Sequence, residues 1–279
     1  MATQEQPIAA VDAWAQPGSA KLVNRPEFAS LWRATGIVPL PEGIPIDQLI
    51  ADMDEAGIQR AVLRAWAAPD GWIITNDEIA ALVQRFPDRF VGMATVDLMR
   101  PVEAVGELRR AVADLGLRGL HILPWMWNLP PNDKHYYPLY VACVDLGIPF
   151  CLQVGHTGPL RPSEPGRPIP YLDEVALTFP ELTIIGGHIG YPWTDEMIGM
   201  AWKYENVYID TSAYLPRYYP PTLRMFMNSH GQDKVLFGTN YPMLSPSRCR
   251  SQVEDLGLKP EAREKFLRLN ALKAFGLTE

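Results

Sequence analysis

The first candidate for chemistry is His188, within the stretch TIIGGHIGYPW at residues Thr183–Trp193. The run Thr183-Ile184-Ile185 predicts a short buried strand, and His188 follows where that strand should end. Glycines on both sides let the backbone pass close to a ligand or to another chain segment. An imidazole titrates near neutral pH, so a histidine in this position could deliver or remove a proton. For a lone histidine, the alternative interpretation is a hydrogen-bonded core residue.

This histidine is not alone, because other polar and aromatic side chains occupy the same position relative to further predicted strands. The carboxyl ends of the parallel strands of an α/β barrel meet at one rim, where such a fold keeps its chemistry. We therefore expect these side chains to surround one site, with imidazoles for proton transfer, amides for hydrogen bonds and indoles as flat walls. The predicted rim residues are Trp14, Gln16, Arg64, Trp66, His121, Trp125, Trp127, His156, His188, Trp193, Asp210, Asn240 and Tyr241.

The elements that position these residues alternate along the whole chain. Strands buried on both faces are continuous apolar runs, and such runs occupy residues 8–14, 60–65, 90–96, 119–123, 149–154, 183–185, 207–210 and 235–237. Helices are predicted between them, over residues 46–57, 76–86, 101–115, 137–146, 171–179, 195–203, 221–229 and 260–275, whereas residues 21–45 are predicted to be irregular. Eight βα units in 279 residues predict a single α/β domain over Met1–Glu279, a (β/α)8 TIM barrel.

Composition narrows the class of protein further. The net charge is −7 and no long basic run occurs, so nucleic acid is not an expected partner. The three cysteines, Cys143, Cys151 and Cys249, are scattered without a CxxC spacing, which suits a reducing cytoplasm. The first residues, MATQEQPIAAVDAW, show neither the basic nor the apolar region typical of a signal peptide, and no stretch of about 18 apolar residues occurs. No GxGxxG or P-loop motif follows an early strand. We expect a cytoplasmic protein that does not span a membrane and that acts on a small molecule.

Seven stretches carry a resemblance to a known family: Val11–Pro17, Phe86–Val96, Gly116–Pro124, Gly147–His156, Ile185–Trp193, Asn206–Ser212 and Val235–Pro242. In these stretches the chain resembles the amidohydrolase-related group of the amidohydrolase superfamily, in the branch that contains aminocarboxymuconate-semialdehyde decarboxylase and resorcylate decarboxylase. The resemblance implies a (β/α)8 barrel and an enzyme of hydrolase or lyase type. A homodimer is an expectation at the level of the family only.

The metal ligands implied by the resemblance are mostly replaced. The family normally has a His-x-His pair after strand 1, a histidine after strand 5, a second after strand 6 and an aspartate after strand 8. Here Trp14 and Gln16 replace the pair, Asn240 replaces the aspartate, and only His156 and His188 match. An indole offers no lone pair and neutral amides are weak ligands, so we expect no metal cofactor. The alternative is a zinc or manganese site that recruits these two histidines and His121 or Asp210.

What remains is acid–base and hydrogen-bonding chemistry. We expect His188, His156 and Asn240 to be catalytic, with the amide holding a carbonyl or an oxyanion. The prediction is a metal-independent hydrolase of a lactone, an ester or a C–C bond in a planar aromatic or polyketide-like molecule. The alternatives are a non-oxidative decarboxylase or other lyase of an aromatic acid, a metal-dependent hydrolase with substituted ligands, and a non-catalytic small-molecule-binding barrel. The expected substrate-binding residues are Trp14, Gln16, Arg64 (for a carboxylate), Trp66, His121, Trp125, Trp193 and Tyr241.

Overall fold

The centre of the molecule is a ring of eight parallel strands, as the alternation of elements predicts. A computed structural model describes residues 8–36, 38 and 40–278. Residues 1–7, on which the expectation of no targeting segment partly rests, lie outside that range. The strands are β1 (Ala10–Ala15), β2 (Ile58–Arg64), β3 (Phe90–Met93), β4 (Leu120–Ile122), β5 (Phe150–Gln153), β6 (Ile184–Gly187), β7 (Val207–Asp210) and β8 (Val235–Leu236).

The ring is closed by pairing between its two sheets. One sheet has the order β1-β2-β3 and the other runs in sequence from β4 to β8, each pair being parallel. A parallel bridge between Ala94 and Leu120 joins β3 to β4. On the other side, the Ala13 N–H donates to the carbonyl of Phe237 over 2.8 Å, and Ala15 bridges to Tyr241. The architecture is therefore the (β/α)8 barrel predicted from the sequence, with all strand carboxyl ends on one rim.

The helices around the ring begin and end at residues that favour those boundaries. Thr75 caps its helix through a capping box with Glu78, and Pro101 occupies the first turn of another helix, where its missing N–H is not needed. The α-helices are Ala20–Val23, Ala29–Thr35, Ile46–Ala56, Asn76–Arg85, Pro101–Ala113, Pro124–Trp127, Tyr137–Leu146, Asp173–Thr178, Thr194–Lys203, Pro221–Met227, Pro246–Ser251, Pro260–Glu264 and Asn270–Ala274. Among the described residues, none of the helices has the length and apolar character needed to cross a bilayer.

The structure departs from the sequence prediction mainly at the mouth of the barrel. Residues 21–45 were expected to be irregular but contain the helix Ala29–Thr35, whose Leu31 packs against the core. After β2, an antiparallel hairpin of Trp66–Ala68 with Gly71–Ile74 extends above the rim. These elements were not predicted because each is too short to show a recognisable hydrophobic period. They also lie near closely spaced prolines and a turn at Asp70, which favour an irregular prediction.

Candidate active site

A cavity of about 220 Å³ opens at the carboxyl ends of the strands. Its walls bring together seven of the eleven predicted site residues: Trp14, Gln16, Trp66, Trp125, His156, His188 and Asn240. The mouth elements and strand ends add further residues, among them Phe28, Leu31, Gln153, Thr157, Tyr214 and Met243. The cavity is thus a largely aromatic and aliphatic bowl with a few neutral polar groups, which is the usual character of a small-molecule site.

His188 is held in one orientation by the loop after the neighbouring strand. It follows the last residue of β6 with a φ of 74°, a value that is uncommon for a residue other than glycine. Its Nδ1 lies 2.7 Å from the Oγ of Ser212, and the Ser212 hydroxyl in turn donates to the Oδ1 of Asp210. The Ser212 backbone N–H donates to the same oxygen over 3.0 Å. Asp210 ends β7, so two adjacent strands together form an Asp210–Ser212–His188 row.

The direction of these hydrogen bonds assigns the tautomer of His188. Burial raises the pKa of Asp210 to about 6, so its carboxylate is mostly ionised at neutral pH and only accepts hydrogen bonds. The Ser212 proton therefore points to Asp210, and the Ser212 oxygen accepts the Nδ1–H of His188. Burial, reinforced by the charge of Arg64, lowers the pKa of His188 to about 3. At neutral pH the ring is uncharged, and its Nε2 carries a lone pair that can act as a base.

Gln16 and Asn240 form an amide pair between the ends of β1 and β8. The Nε2 of Gln16 donates to the Oδ1 of Asn240 over 3.0 Å and also to the Tyr241 carbonyl. The backbone N–H of Asn240 donates to the Trp14 carbonyl over 2.8 Å, with Asn240 at a φ of 67°. Because Oδ1 is already an acceptor for Gln16, the Nδ2 group of Asn240 remains to donate to a ligand.

Arg64 and His121 were expected in the site, but the structure buries both below it. The Arg64 guanidinium stacks under the Trp14 indole, with Cζ 3.7 Å from the ring centroid, and its Nη1 donates to the Val62 carbonyl. His121 contacts the Trp14 ring edge-on at 5.1 Å, and its Nδ1 lies 3.2 Å from the Ala65 carbonyl oxygen. Neither residue lines the cavity, because Trp14 covers the barrel interior above them. Arg64 is therefore not placed to pair a substrate carboxylate.

Trp193 and Tyr241 also lie outside the cavity lining. Trp193 precedes the helix Thr194–Lys203 and packs beneath the Arg167 guanidinium, 5.7 Å from the ring centroid. Tyr241 is buried behind the rim, and its backbone N–H donates to the Oγ1 of Thr239. Trp193 lies six residues beyond the end of β6, whereas the backbone of Tyr241 is still at the rim, bridged to Ala15, and only its side chain leaves the cavity.

The end of β5 is occupied by a glutamine that the sequence analysis missed. His156 lines the cavity but is an exposed residue three positions beyond the strand. The last strand residue is Gln153, which is 1% exposed and lines the cavity. Its Nε2 donates to the carbonyls of Val154, Gly155 and His156 over 3.0–3.1 Å. The expectation that His156 takes the strand-end position is therefore corrected. The sequence feature that could have identified Gln153 is a polar residue at the end of the apolar run PFCLQ.

A second missed residue is Asp12, an acid inside the otherwise apolar strand β1. It is fully buried and accepts hydrogen bonds from the Trp14 N–H at 3.0 Å, the Thr239 N–H at 2.9 Å and the Thr239 hydroxyl at 2.5 Å. Burial raises its pKa to about 7. These bonds tie β1 to the segment after β8, and they thereby set the spacing between Trp14 and Asn240. The sequence feature that could have identified Asp12 is a single carboxylate within the apolar run AVDAWA.

The donor groups at the strand ends do not fit a catalytic zinc or manganese ion. Within residues 8–36, 38 and 40–278, no three side chains of His, Cys, Asp or Glu gather as metal ligands would. The strand ends present an indole and amides, and the Nδ1 of His188 is engaged by Ser212. His121 and Asp210, which a substituted site would recruit, are engaged by the Ala65 carbonyl and by Ser212. Neutral amides and one imidazole nitrogen are a poor set for such an ion.

Comparison with known proteins agrees with the fold. Residues 29–277 match the family model described as Amidohydrolase. The 2-amino-3-carboxymuconate-6-semialdehyde decarboxylase of Dictyostelium discoideum is 25% identical over 258 residues, covering 76% of this chain and 69% of that protein. An uncharacterized TIM-barrel protein from Bordetella bronchiseptica is 27% identical with a TM-score of 0.83, covering 96% of this chain and 98% of the other.

A third similarity bears on the fold. The 5-carboxyvanillate decarboxylase of Novosphingobium aromaticivorans, complexed with manganese, is 20% identical with a TM-score of 0.72, covering 99% of this chain and 98% of the other. These matches confirm the family and the fold that the motifs predicted. This chain therefore belongs to the amidohydrolase family, in the branch with the aminocarboxymuconate-semialdehyde decarboxylase, and it is an enzyme of hydrolase or lyase type.

Proposed function

We propose that this enzyme is a metal-independent hydrolase that opens a lactone or cleaves an ester in a compact planar molecule. The observation that supports the proposal most directly is the Asp210–Ser212–His188 row beside the cavity. It supplies a neutral, oriented imidazole whose free nitrogen is a base, which is what the activation of a water molecule requires. The aromatic walls formed by Trp14, Trp66 and Trp125 favour a flat substrate.

Each step of hydrolysis can be assigned to a group that lines the cavity or to one hydrogen-bonded behind it. The Nε2 of His188 takes a proton from water as the water oxygen attacks the ester carbonyl carbon, and Asp210 stabilises the resulting imidazolium through Ser212. The Nδ2 of Asn240 donates to the carbonyl oxygen as negative charge develops there. When the C–O bond breaks, the imidazolium returns its proton to the leaving oxygen. The low pKa of His188 favours that return, whereas it disfavours the initial uptake of the proton, which the Asp210 carboxylate assists through Ser212. The products are a carboxylic acid and an alcohol.

Decarboxylation is the second candidate, and the names of the relatives favour it. In that reaction a proton must reach the ring carbon as carbon dioxide leaves. A neutral His188 whose Nε2 carries no proton is a base at the start of the cycle and has no proton to give. The hydrogen-bond directions therefore favour hydrolysis, and the products of the reaction distinguish the two candidates.

The first test measures turnover of two lactones, dihydrocoumarin and phthalide, by acid release, and of hydroxybenzoates by carbon dioxide release. We expect lactone hydrolysis that neither a chelator nor added manganese changes. His188→Gln should lower kcat by roughly 10²–10⁴-fold, the usual contribution of a general base. The matched control is His230→Gln, because His230 is exposed and packs against Phe226. Carbon dioxide release without lactone hydrolysis, or activity that requires a metal, would contradict the proposal.

A further inference from the structure

We propose that the cavity selects uncharged rings and rejects rings that carry a carboxylate. This inference rests on the proposed function only in taking the cavity as the substrate site. Among the described residues, the cavity lining includes no lysine and no arginine. Its polar groups are hydroxyls, imidazoles, the indole N–H groups of the tryptophans and the amides of Gln16, Gln153 and Asn240. An aromatic acid would therefore leave water for a site without a fixed positive charge, which is costly for a carboxylate.

The guanidinium nearest the floor of the cavity cannot supply that charge. Arg64 is fully buried, and the Trp14 indole lies over it at 3.7 Å from Cζ to the ring centroid. The same indole lines the cavity on its other side. A ligand therefore meets an aromatic face, while the Arg64 charge interacts with buried groups inside the barrel, namely Cys151, Asp210 and Asp12.

Three arginines close in sequence to the mouth residues are already paired with acidic side chains. The Nε of Arg25 lies 2.6 Å from Oε1 of Glu27, and Arg161 lies 3.9 Å from the same oxygen. Arg167 lies 2.7 Å from a carboxylate oxygen of Glu196. Recruiting one of these arginines to a substrate would break an existing ion pair. The family branch acts on acids in its named decarboxylases, so this lining predicts a different substrate charge for this enzyme.

The test compares two rings that differ only by a carboxylate, resorcinol and 2,6-dihydroxybenzoate. Binding is followed by quenching of tryptophan fluorescence, since three tryptophans line the cavity. The measurement is made at pH 8, where an ordinary imidazole is neutral. We expect resorcinol to bind roughly 10- to 100-fold more tightly than the acid, because an unpaired buried charge is penalised by about that factor. Equal or tighter binding of the acid, or no binding of resorcinol, would overturn the inference.

A variant that adds the missing cation sharpens the test. Leu31 lines the cavity, so Leu31→Arg places a guanidinium at the mouth, and Leu31→Gln is the neutral control. We expect the arginine variant alone to prefer 2,6-dihydroxybenzoate, and an unchanged preference would count against the inference. Should Leu31→Arg fail to fold, Met243→Arg places the charge on another part of the lining. Because binding is measured without turnover, absence of lactone hydrolysis would refute the proposed function and leave this result standing.

Discussion

At the scale of single residues, the chemistry depends on which nitrogen of His188 holds the proton. That choice is made by Ser212, which is completely buried and connects the ring to Asp210. The carboxylate cannot donate while ionised, so the direction of both hydrogen bonds follows from its charge. The serine is thus a positioning residue, since it acts on a substrate only through the imidazole.

Replacing Ser212 by alanine should leave His188 in place but free to rotate and change tautomer. We expect kcat to fall about 10- to 100-fold, as for the loss of one hydrogen bond to a charged group, and KM to change little. In the native enzyme kcat should also decline as the pH falls through about 6, where Asp210 becomes protonated. This decline of kcat at low pH should be smaller in Ser212→Ala. The control is Ser229→Ala, because Ser229 is exposed and donates to the Met225 carbonyl. An unchanged pH profile in Ser212→Ala would contradict the proposed coupling of Asp210 to His188 through Ser212.

At the scale of elements, the close packing of β6 against β1 gives the cavity its floor. A Cβ added at Gly187 would lie 2.4 Å from a ring carbon of Trp14, which no real contact allows. The indole therefore occupies the space that a side chain on β6 would fill. Since Trp14 also stacks on Arg64 and contacts His121 and His188, its position sets the floor of the site.

Gly187→Ala should therefore push the indole upward into the cavity. We expect the free energy of unfolding to fall by about 1–3 kcal/mol, as in other overpacked cores, and ring binding to weaken in parallel. Urea unfolding and fluorescence titration measure the two effects. Gly199→Ala is the matched control, because a Cβ there meets nothing within 4 Å and the residue lies in the helix Thr194–Lys203. Unchanged ring binding in Gly187→Ala would contradict this prediction, because it would show that Trp14 can shift without narrowing the cavity.

The sequence predicted the elements better than the contacts between them. Continuous apolar runs located all eight strands, and Trp14, His188 and Asn240 were placed in the site because each lies at or shortly after the carboxyl end of a strand. Arg64 was misplaced because the side of a strand that a residue faces depends on register, which a single run does not reveal. The bond between Asp12 and Thr239 joins residues 227 positions apart, and no local pattern encodes such a distance.

At the scale of the whole molecule, the barrel interior holds an unbalanced set of buried charges. Asp12, Arg64 and Asp210 are each completely inaccessible, so two acids share one guanidinium. Burial dominates over the hydrogen bonds and raises the pKa of Asp12 to about 7 and that of Asp210 to about 6. Above neutral pH the barrel therefore carries a net buried negative charge, which opposes folding.

This imbalance predicts how stability depends on pH. The pKa of Asp12 is about 7 in the folded protein and 3.8 is its ordinary value, which we take for the unfolded chain. The folded state is therefore stabilised by the Asp12 proton below pH 3.8, and this stabilisation is lost as the pH rises to about 7. Asp12→Asn has no such proton to lose. The unfolding free energy of the native protein minus that of Asp12→Asn should therefore fall by about 1.4 kcal/mol per pH unit between pH 5 and 7. Urea unfolding across this range measures it, and a difference that is constant or grows with pH would show that Asp12 is ionised throughout.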